Sequence, residues 1–298
     1  MTSMSRLGLG TAAFGSHYGL SNRVGRPAES EVAAILERAS ASGIGYLDTA
    51  PAYGDAEALV GRHLPRGYRL RIVTKTPVMK ATTIEAHHKQ EVLDTLAVSL
   101  DRLKVETLHG LLVHQCADLA KPGWQHLVEA LAEARARGWT VHVGASVYDS
   151  EQLALVESRF QPEIIQLPVN ALDRRPIASR MLSRLQAAGM EIHARSVFLQ
   201  GLLLLRPDDL PDFFRPLREK IAALRRRWAE NELSPLAGSL GFVMQQQDID
   251  AIIVGVNRAA ELDEIIDAAN RVVALDLEPA PAVDTLYLDP SRWPTFVH

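Results

Sequence analysis

Eight short apolar runs, alternating with stretches of helical periodicity, constrain the fold of this chain more than any other feature. The runs are RLGLGT (6–11), IGYLDT (44–49), LRIVTK (70–75), LHGLLVH (108–114), TVHVGAS (140–146), EIIQLP (163–168), EIHARS (191–196) and IDAIIVG (249–255). Strands with near-continuous apolar runs are buried on both faces, and intervening helices imply parallel pairing through crossovers. The stretch ESEVAAILERASASG at 29–43 shows the helical pattern, with Val32, Ile35, Leu36 and Ala39 at helical spacing and Gly43 as a C-terminal stop. Similar segments lie at 85–103, 122–137, 149–158 and 176–188. Two helical pieces, 212–230 and 235–247, come after strand seven, and a last helix at 259–269 comes after strand eight. Eight βα units predict a (β/α)8 TIM barrel ringed by helices. The 298 residues could divide into two domains. No low-complexity linker or run of like charge interrupts the alternation, so one domain over 1–298 is expected.

The competing architecture is an open doubly wound sheet, because Gly8, Gly10 and Ala13 fit the dinucleotide fingerprint G-x-G-x-x-A. That fingerprint requires a helix to begin inside it and an acidic residue about 20 positions on, at the end of the next strand. The next residues are instead FGSHYGLSNRVGRP, whose Gly, Pro, Ser and Asn read as a loop. Composition narrows the function. Hydrophobic residues at 47% supply a sizeable core, while a net charge of -4 gives no reason to expect nucleic acid or an anionic membrane as partner. The LLLL run at 202–205 stops at Arg206 and Pro207, far short of the roughly 18 residues of a membrane span. Cys116 is the single cysteine, and MTSMSRLGLG lacks the basic-then-apolar pattern of a signal peptide; a cytoplasmic protein is expected.

In a barrel of this type chemistry sits at the C-terminal ends of the strands. Strand two ends in Asp48, strand three in Lys75 and strand four in His114, and Tyr53 lies in the loop after strand two. Together they make an acid catalyst. A tyrosine hydroxyl with a pKa near 10 is a slow proton donor at neutral pH. A neighbouring lysine ammonium favours the phenolate and is expected to lower that pKa, while a paired carboxylate keeps the lysine charged despite burial. A neutral histidine can donate a hydrogen bond to a substrate carbonyl oxygen and stabilise the alkoxide that develops there. This chemistry needs no metal, and spacing indicates none: His109 and His114 lie five apart, and no strand carries an H-x-H pair. His87 and His88 read as a solvated helix face.

The segment GIGYLDTAPAYGDAEALVGRHL at 43–64 resembles the signature of the aldo-keto reductases. The resemblance continues through LGLGTAAFG, IVTKT, LLVHQ, VGASVYDSEQL, IIQLPVN and FLQGLLL, in order along nearly the whole chain. It implies a (β/α)8 barrel that reduces aldehydes or ketones with NAD(P)H, and its catalytic tetrad of Asp, Tyr, Lys and His falls on Asp48, Tyr53, Lys75 and His114. It further implies cofactor contacts from Gly10, Thr11 and Asp48. Ser146 and Gln166 would hold the nicotinamide carboxamide, although Val147 replaces the family's asparagine. Arg195, with Ser196 after it, stands where many members place an aromatic ring against the nicotinamide; a guanidinium plane can also lie on a ring. Gln200, Gly201 and Leu202 resemble the loop around the pyrophosphate. GVNRAAELDE at 255–264, with Gly255, Asn257 and Arg258, resembles the segment at the adenosine 2′-phosphate.

In that last segment only Arg258 offers a cation, which favours NADPH with NADH as the alternative. The expected substrate is a small carbonyl or a sugar, with reduction or the reverse dehydrogenation both open. Tyr18 in the long first loop (17–27), and Trp293 and Phe296 in the C-terminal tail, are candidate pocket walls, with packing on the barrel the equal alternative for each. Cys116, two residues past His114, reads as an inert loop thiol. Two rival readings are a cofactor-binding subunit without turnover and a Schiff-base aldolase using Lys75. The second conflicts with Asp48, which would hold the lysine charged.

Overall fold

All eight apolar runs form strands, and each pairs in parallel with the next until β8 closes on β1. The computed structural model describes residues 3–275 and 282–294. The strands are β1 (Leu7–Gly10), β2 (Tyr46–Asp48), β3 (Arg71–Lys75), β4 (Leu108–Val113), β5 (Thr140–Ser146), β6 (Ile164–Pro168), β7 (Glu191–Arg195) and β8 (Ala251–Gly255). Gly10 stands opposite both Asp48 and Gly255, and Lys75 opposite Leu112, so the polar strand ends share one rim. The closed barrel excludes the open sheet. A helix does begin inside the fingerprint, at Ala12–Gly15, but it is a single turn, and its successor is the expected loop.

Apolar side chains divide between two places. The outer faces of the strands, such as Leu9, Leu47 and Leu111, join Ile35, Leu93 and Leu131 from the helices in one large core. Inside the barrel, Tyr46, Ala251 and Ile253 form one small cluster and Val73, Leu112 and Ile164 another. Those interior clusters separate the two ends of the barrel.

Helix Glu29–Ala41 buries Val32, Ile35, Leu36 and Ala39 as the spacing predicts, and Gly43 comes after it at φ +76°. Helices at Ala86–Leu103, Gln125–Ala136, Ser150–Arg159, Pro235–Met244 and Ala259–Asn270 match the predicted segments to within a few residues. Segment 176–188 divides at Arg180 into a turn, Arg175–Ala178, and a helix, Met181–Ala187. Segment 212–230 divides into a 3-10 turn, Asp212–Leu217, and a helix, Arg218–Ala229. Helix Ala56–His63 is absent from the sequence reading. It has eight residues, and a buried Glu57 interrupts its apolar face. That carboxylate accepts from Thr74 Oγ1 at 2.8 Å and Ser99 Oγ at 3.0 Å, which gives each of its oxygens a donor. Among the described residues no helix is long and apolar enough to cross a membrane.

Candidate active site

Strand β2 ends with the carboxylate of Asp48 and β3 with the ammonium of Lys75, and parallel pairing brings the two together at the mouth of the barrel. Lys75 Nζ donates to Asp48 Oδ1 at 2.7 Å and to the Thr49 carbonyl at 2.8 Å. The second carboxylate oxygen, Asp48 Oδ2, accepts from Gln166 Nε2 at 2.7 Å. The pair is almost wholly buried, at 2% exposure for Lys75 and 5% for Asp48. Burial alone would lower the lysine pKa, but the adjacent Asp48 carboxylate and Tyr53 phenol outweigh it and hold Lys75 above its usual range. A lysine held in this state is a poor Schiff-base nucleophile.

The Tyr53 ring stands over this pair, its centroid 5.1 Å from Lys75 Nζ. Here the structure corrects the sequence reading. Lys75 does pull the phenol pKa down, but loss of hydration is the larger effect and Asp48 adds to it, so Tyr53 lies above its ordinary value. Its proton is therefore present throughout neutral pH. His114, at the end of β4, meets the Tyr53 ring edge-on with centroids 5.8 Å apart. Burial first, then Lys75, pushes its pKa down to about 4, so the imidazole is neutral as expected.

What holds Tyr53 in place is a backbone contact. The turn Ala12–Gly15 lies against the loop at Tyr53 and Gly54 so closely that a Cβ on Gly15 would overlap the Tyr53 carbonyl group. Gly54 itself has φ +56°, in the left-handed region that costs glycine least. Gly15→Ala is expected to displace Tyr53 and lower kcat by roughly 10²-fold, the cost of about 1 Å of misplacement. Steady-state kinetics checks this; an unchanged kcat would show that the loop accommodates the methyl group without moving the phenol.

These four groups open into a cavity of about 1040 Å³. Of the residues implied as cofactor contacts, Gly10, Thr11, Asp48, Ser146, Gln166, Arg195, Ser196, Gln200, Gly201, Gly255, Asn257 and Arg258 line it. Leu202 does not: its side chain is fully buried in the apolar core. Arg195 Nε donates to Ser146 Oγ and one terminal nitrogen to the Val147 carbonyl, both at 3.3 Å. The guanidinium stacks on the Tyr148 ring, 4.2 Å from its centroid. Sequence reasoning passed over Tyr148, because nothing in VYDSEQ distinguishes a ring that backs a cation from one on the surface. Arg258 pairs with Glu261 at 3.1 Å, and the same carboxylate accepts the Asn257 amide at 2.8 Å.

The first loop crosses the mouth as expected. The Leu20 amide donates to the Gln200 carbonyl at 2.7 Å, and Asn22 Nδ2 donates to Asn257 Oδ1 at 3.0 Å, which ties the loop to those after β7 and β8. Tyr18, 42% exposed, lines the cavity. Trp293 packs instead on Phe214, with ring centroids 4.7 Å apart and outside the lining; Phe296 lies outside the described residues. The tail reaches the cavity through Asp289, Pro290 and Ser291. Cys116 also borders it, but burial, with Asp149 and Asp118 nearby, pushes the thiol up to about 11, well outside the reactive range. His87 is exposed, and His88 Nδ1 accepts from the Glu85 amide at 2.9 Å to cap helix Ala86–Leu103.

Comparisons with known proteins agree with this fold. Residues 6–287 match the model of the aldo/keto reductase family. The chain is 24% identical over 288 residues to an uncharacterised oxidoreductase, YqkF, of Bacillus subtilis, covering 90% of this chain and 88% of that protein. It is 26% identical over 274 residues to the L-glyceraldehyde 3-phosphate reductase of Escherichia coli O157:H7, covering 80% and 79%. Among solved structures, the holo form of aldo-keto reductase AKR11C1 from Bacillus halodurans has the same fold, with a TM-score of 0.70 at 20% identity over 92% of this chain and 89% of that one. With a barrel closed in this order and a family match across nearly its whole length, the chain belongs to the aldo/keto reductase family.

Proposed function

We propose that this protein reduces an aldehyde or ketone to the alcohol with a nicotinamide cofactor, Tyr53 giving the proton. The observation that carries the reading is a charged Lys75 held between Asp48 and Tyr53, beside a histidine kept neutral. A reduced nicotinamide, when bound, supplies hydride to the carbonyl carbon. His114 donates a hydrogen bond to the carbonyl oxygen and orients it. Tyr53 passes its proton to that same oxygen as negative charge develops, Lys75 stabilises the phenolate left behind, and Asp48 keeps the ammonium charged.

The donor set fits a dinucleotide. Gln166 uses its amide nitrogen on Asp48, which leaves its carbonyl oxygen as an acceptor beside the Ser146 hydroxyl for a carboxamide. Arg195, backed by Tyr148, supplies a plane where other members place a ring. The cavity continues to Gly255, Asn257 and Arg258, with Arg23 on the same lining as a second cation. We take NADPH as the preferred cofactor on those two cations, and a small carbonyl or sugar as substrate. Arg258→Ala is expected to raise KM for NADPH about tenfold, equivalent to about 1.4 kcal/mol, and to change KM for NADH little. Equal effects on both cofactors would remove Arg258 from contact with a 2′-phosphate.

The reading is tested by monitoring NADPH oxidation against a panel of small aldehydes, ketones and sugars. No turnover with any of them, together with fluorescence-detected cofactor binding, would favour a cofactor-binding subunit. With a responsive substrate, kcat/KM for reduction is expected to be flat across neutral pH. His114 takes up a proton only near pH 4. Tyr53 loses its proton only above the ordinary tyrosine value of about 10, because its pKa is raised. An alkaline limb well below that value would assign the acid to another group.

A further inference from the structure

At the foot of the barrel, the opposite end from the cavity, lies a second polar cluster that takes no part in the chemistry above. His109 on β4, His142 on β5 and Glu191 at the start of β7 each offer one ligand atom, and the three atoms lie within 4.8 Å of one another. His109 Nε2 stands 3.0 and 2.9 Å from the two carboxylate oxygens of Glu191. The His109 and His142 rings meet edge to face, with centroids 5.0 Å apart. All three side chains spring from strands, whose backbones the closed sheet holds rigid.

Two of the three residues have a further polar group behind them. His193, at 0% exposure, pairs through Nε2 with Glu191 Oε1 at 2.8 Å, which fixes the carboxylate. Its Nδ1 is buried with no partner among the described residues. His142 turns Nδ1 toward Glu163 Oε1 at 3.6 Å, which leaves Nε2 for another partner. A ligating imidazole characteristically has one nitrogen facing a carboxylate and the other facing the ion. Tyr46 closes the inner side, its ring 5.8 Å from His109 and 5.0 Å from His193. The outer side is open, since the side chains of His142, Glu191 and His109 are 34%, 20% and 15% exposed.

We propose that His109, His142 and Glu191 bind one divalent transition-metal ion, zinc fitting best, at the N-terminal end of the barrel. Two imidazoles and a carboxylate with a fourth position open to water form a zinc-type donor set. Tetrahedral coordination at ~2.0–2.2 Å separates neighbouring ligand atoms by roughly 3.3–3.6 Å, so the His109–Glu191 contact has to open by about half an ångström and any wider separation, none above 4.8 Å, has to close. The ion takes the place of the proton shared between them. This face of a barrel serves stability and not catalysis, and an ion here ties β4, β5 and β7 together. Its binding does not depend on the carbonyl-reductase reading. Sequence spacing gives no sign of the site, because its ligands come from three strands that meet only when the barrel closes.

The test uses the full chain without an affinity tag, stripped with EDTA, and titrates Co²⁺ alone by visible absorption, then displaces it with Zn²⁺. The expected result is one equivalent per chain with a tetrahedral cobalt spectrum, and binding at least tenfold weaker in both His109→Gln and His142→Gln. Circular dichroism establishes that each variant is folded; if His109→Gln is not, the more exposed His142→Gln decides alone. His87, His88 and Glu91 form another candidate cluster, on helix Ala86–Leu103. Absence of a cobalt signal, unchanged binding in His142→Gln, or loss of binding in His87→Gln/His88→Gln instead would overturn the proposal.

Discussion

Tyr53→Phe is expected to lower kcat for NADPH-dependent carbonyl reduction by about 10²–10⁴-fold, the usual contribution of a positioned general acid. The substitution removes one oxygen and keeps the ring. The edge contact with His114 and the contact with Lys75 are both made by that ring, so the mouth keeps its shape. KM for substrate and cofactor is therefore expected to change little, and the loss to appear in kcat. Steady-state kinetics separates the two. A variant that retains wild-type turnover would exclude Tyr53 as the proton donor and shift attention to His114.

The second large effect concerns stability. Lys75→Met replaces a buried ammonium with a side chain of similar length and leaves the Asp48 carboxylate, among the described residues, with the Gln166 amide as its remaining hydrogen-bond donor. Removing one partner of a buried ion pair costs about 3–5 kcal/mol, because the remaining charge stays out of water without compensation. Urea denaturation is expected to show a shift of that size. In Asp48→Asn/Lys75→Met most of it is expected to return, since both charges are then gone. A shift in Lys75→Met below about 1 kcal/mol, the range of exposed pairs, would mean that water reaches the pair more freely than its burial indicates.

The barrel is legible in the sequence because its signal is local: each apolar run is a strand by its own composition, and eight of them with helices between leave few ways to close. Asp48, Lys75 and His114 are legible for the same reason, as polar residues ending apolar runs. The contacts made across the barrel are not. Arg195 reaches two strands over to Ser146 and rests on Tyr148, and no feature of EIHARS announces those partners. The direction of the Tyr53 shift is equally hidden, since it turns on how much water the phenol loses and not on which charges adjoin it. Trp293 stands open between two roles that sequence does not separate. A tail aromatic is as well suited to a pocket wall as to the apolar shell, and Phe214 captures it.

The placement of polar groups at both ends of the same strands bears on how the barrel assembles. β2 carries Tyr46 below and Asp48 above, β3 carries Arg71 and Lys75, and β7 carries Glu191 and Arg195. Alternate residues of a strand face opposite sides, so a strand slipped by a single position turns both of its polar ends toward the apolar shell at once. Slippage of β3 would take Lys75 away from Asp48, and slippage of β7 would take Glu191 away from His109 and His193. A closed sheet has no free edge at which to absorb such an error. The ionic residues thus act as paired gauges that reject misaligned barrels before any of them meets a ligand.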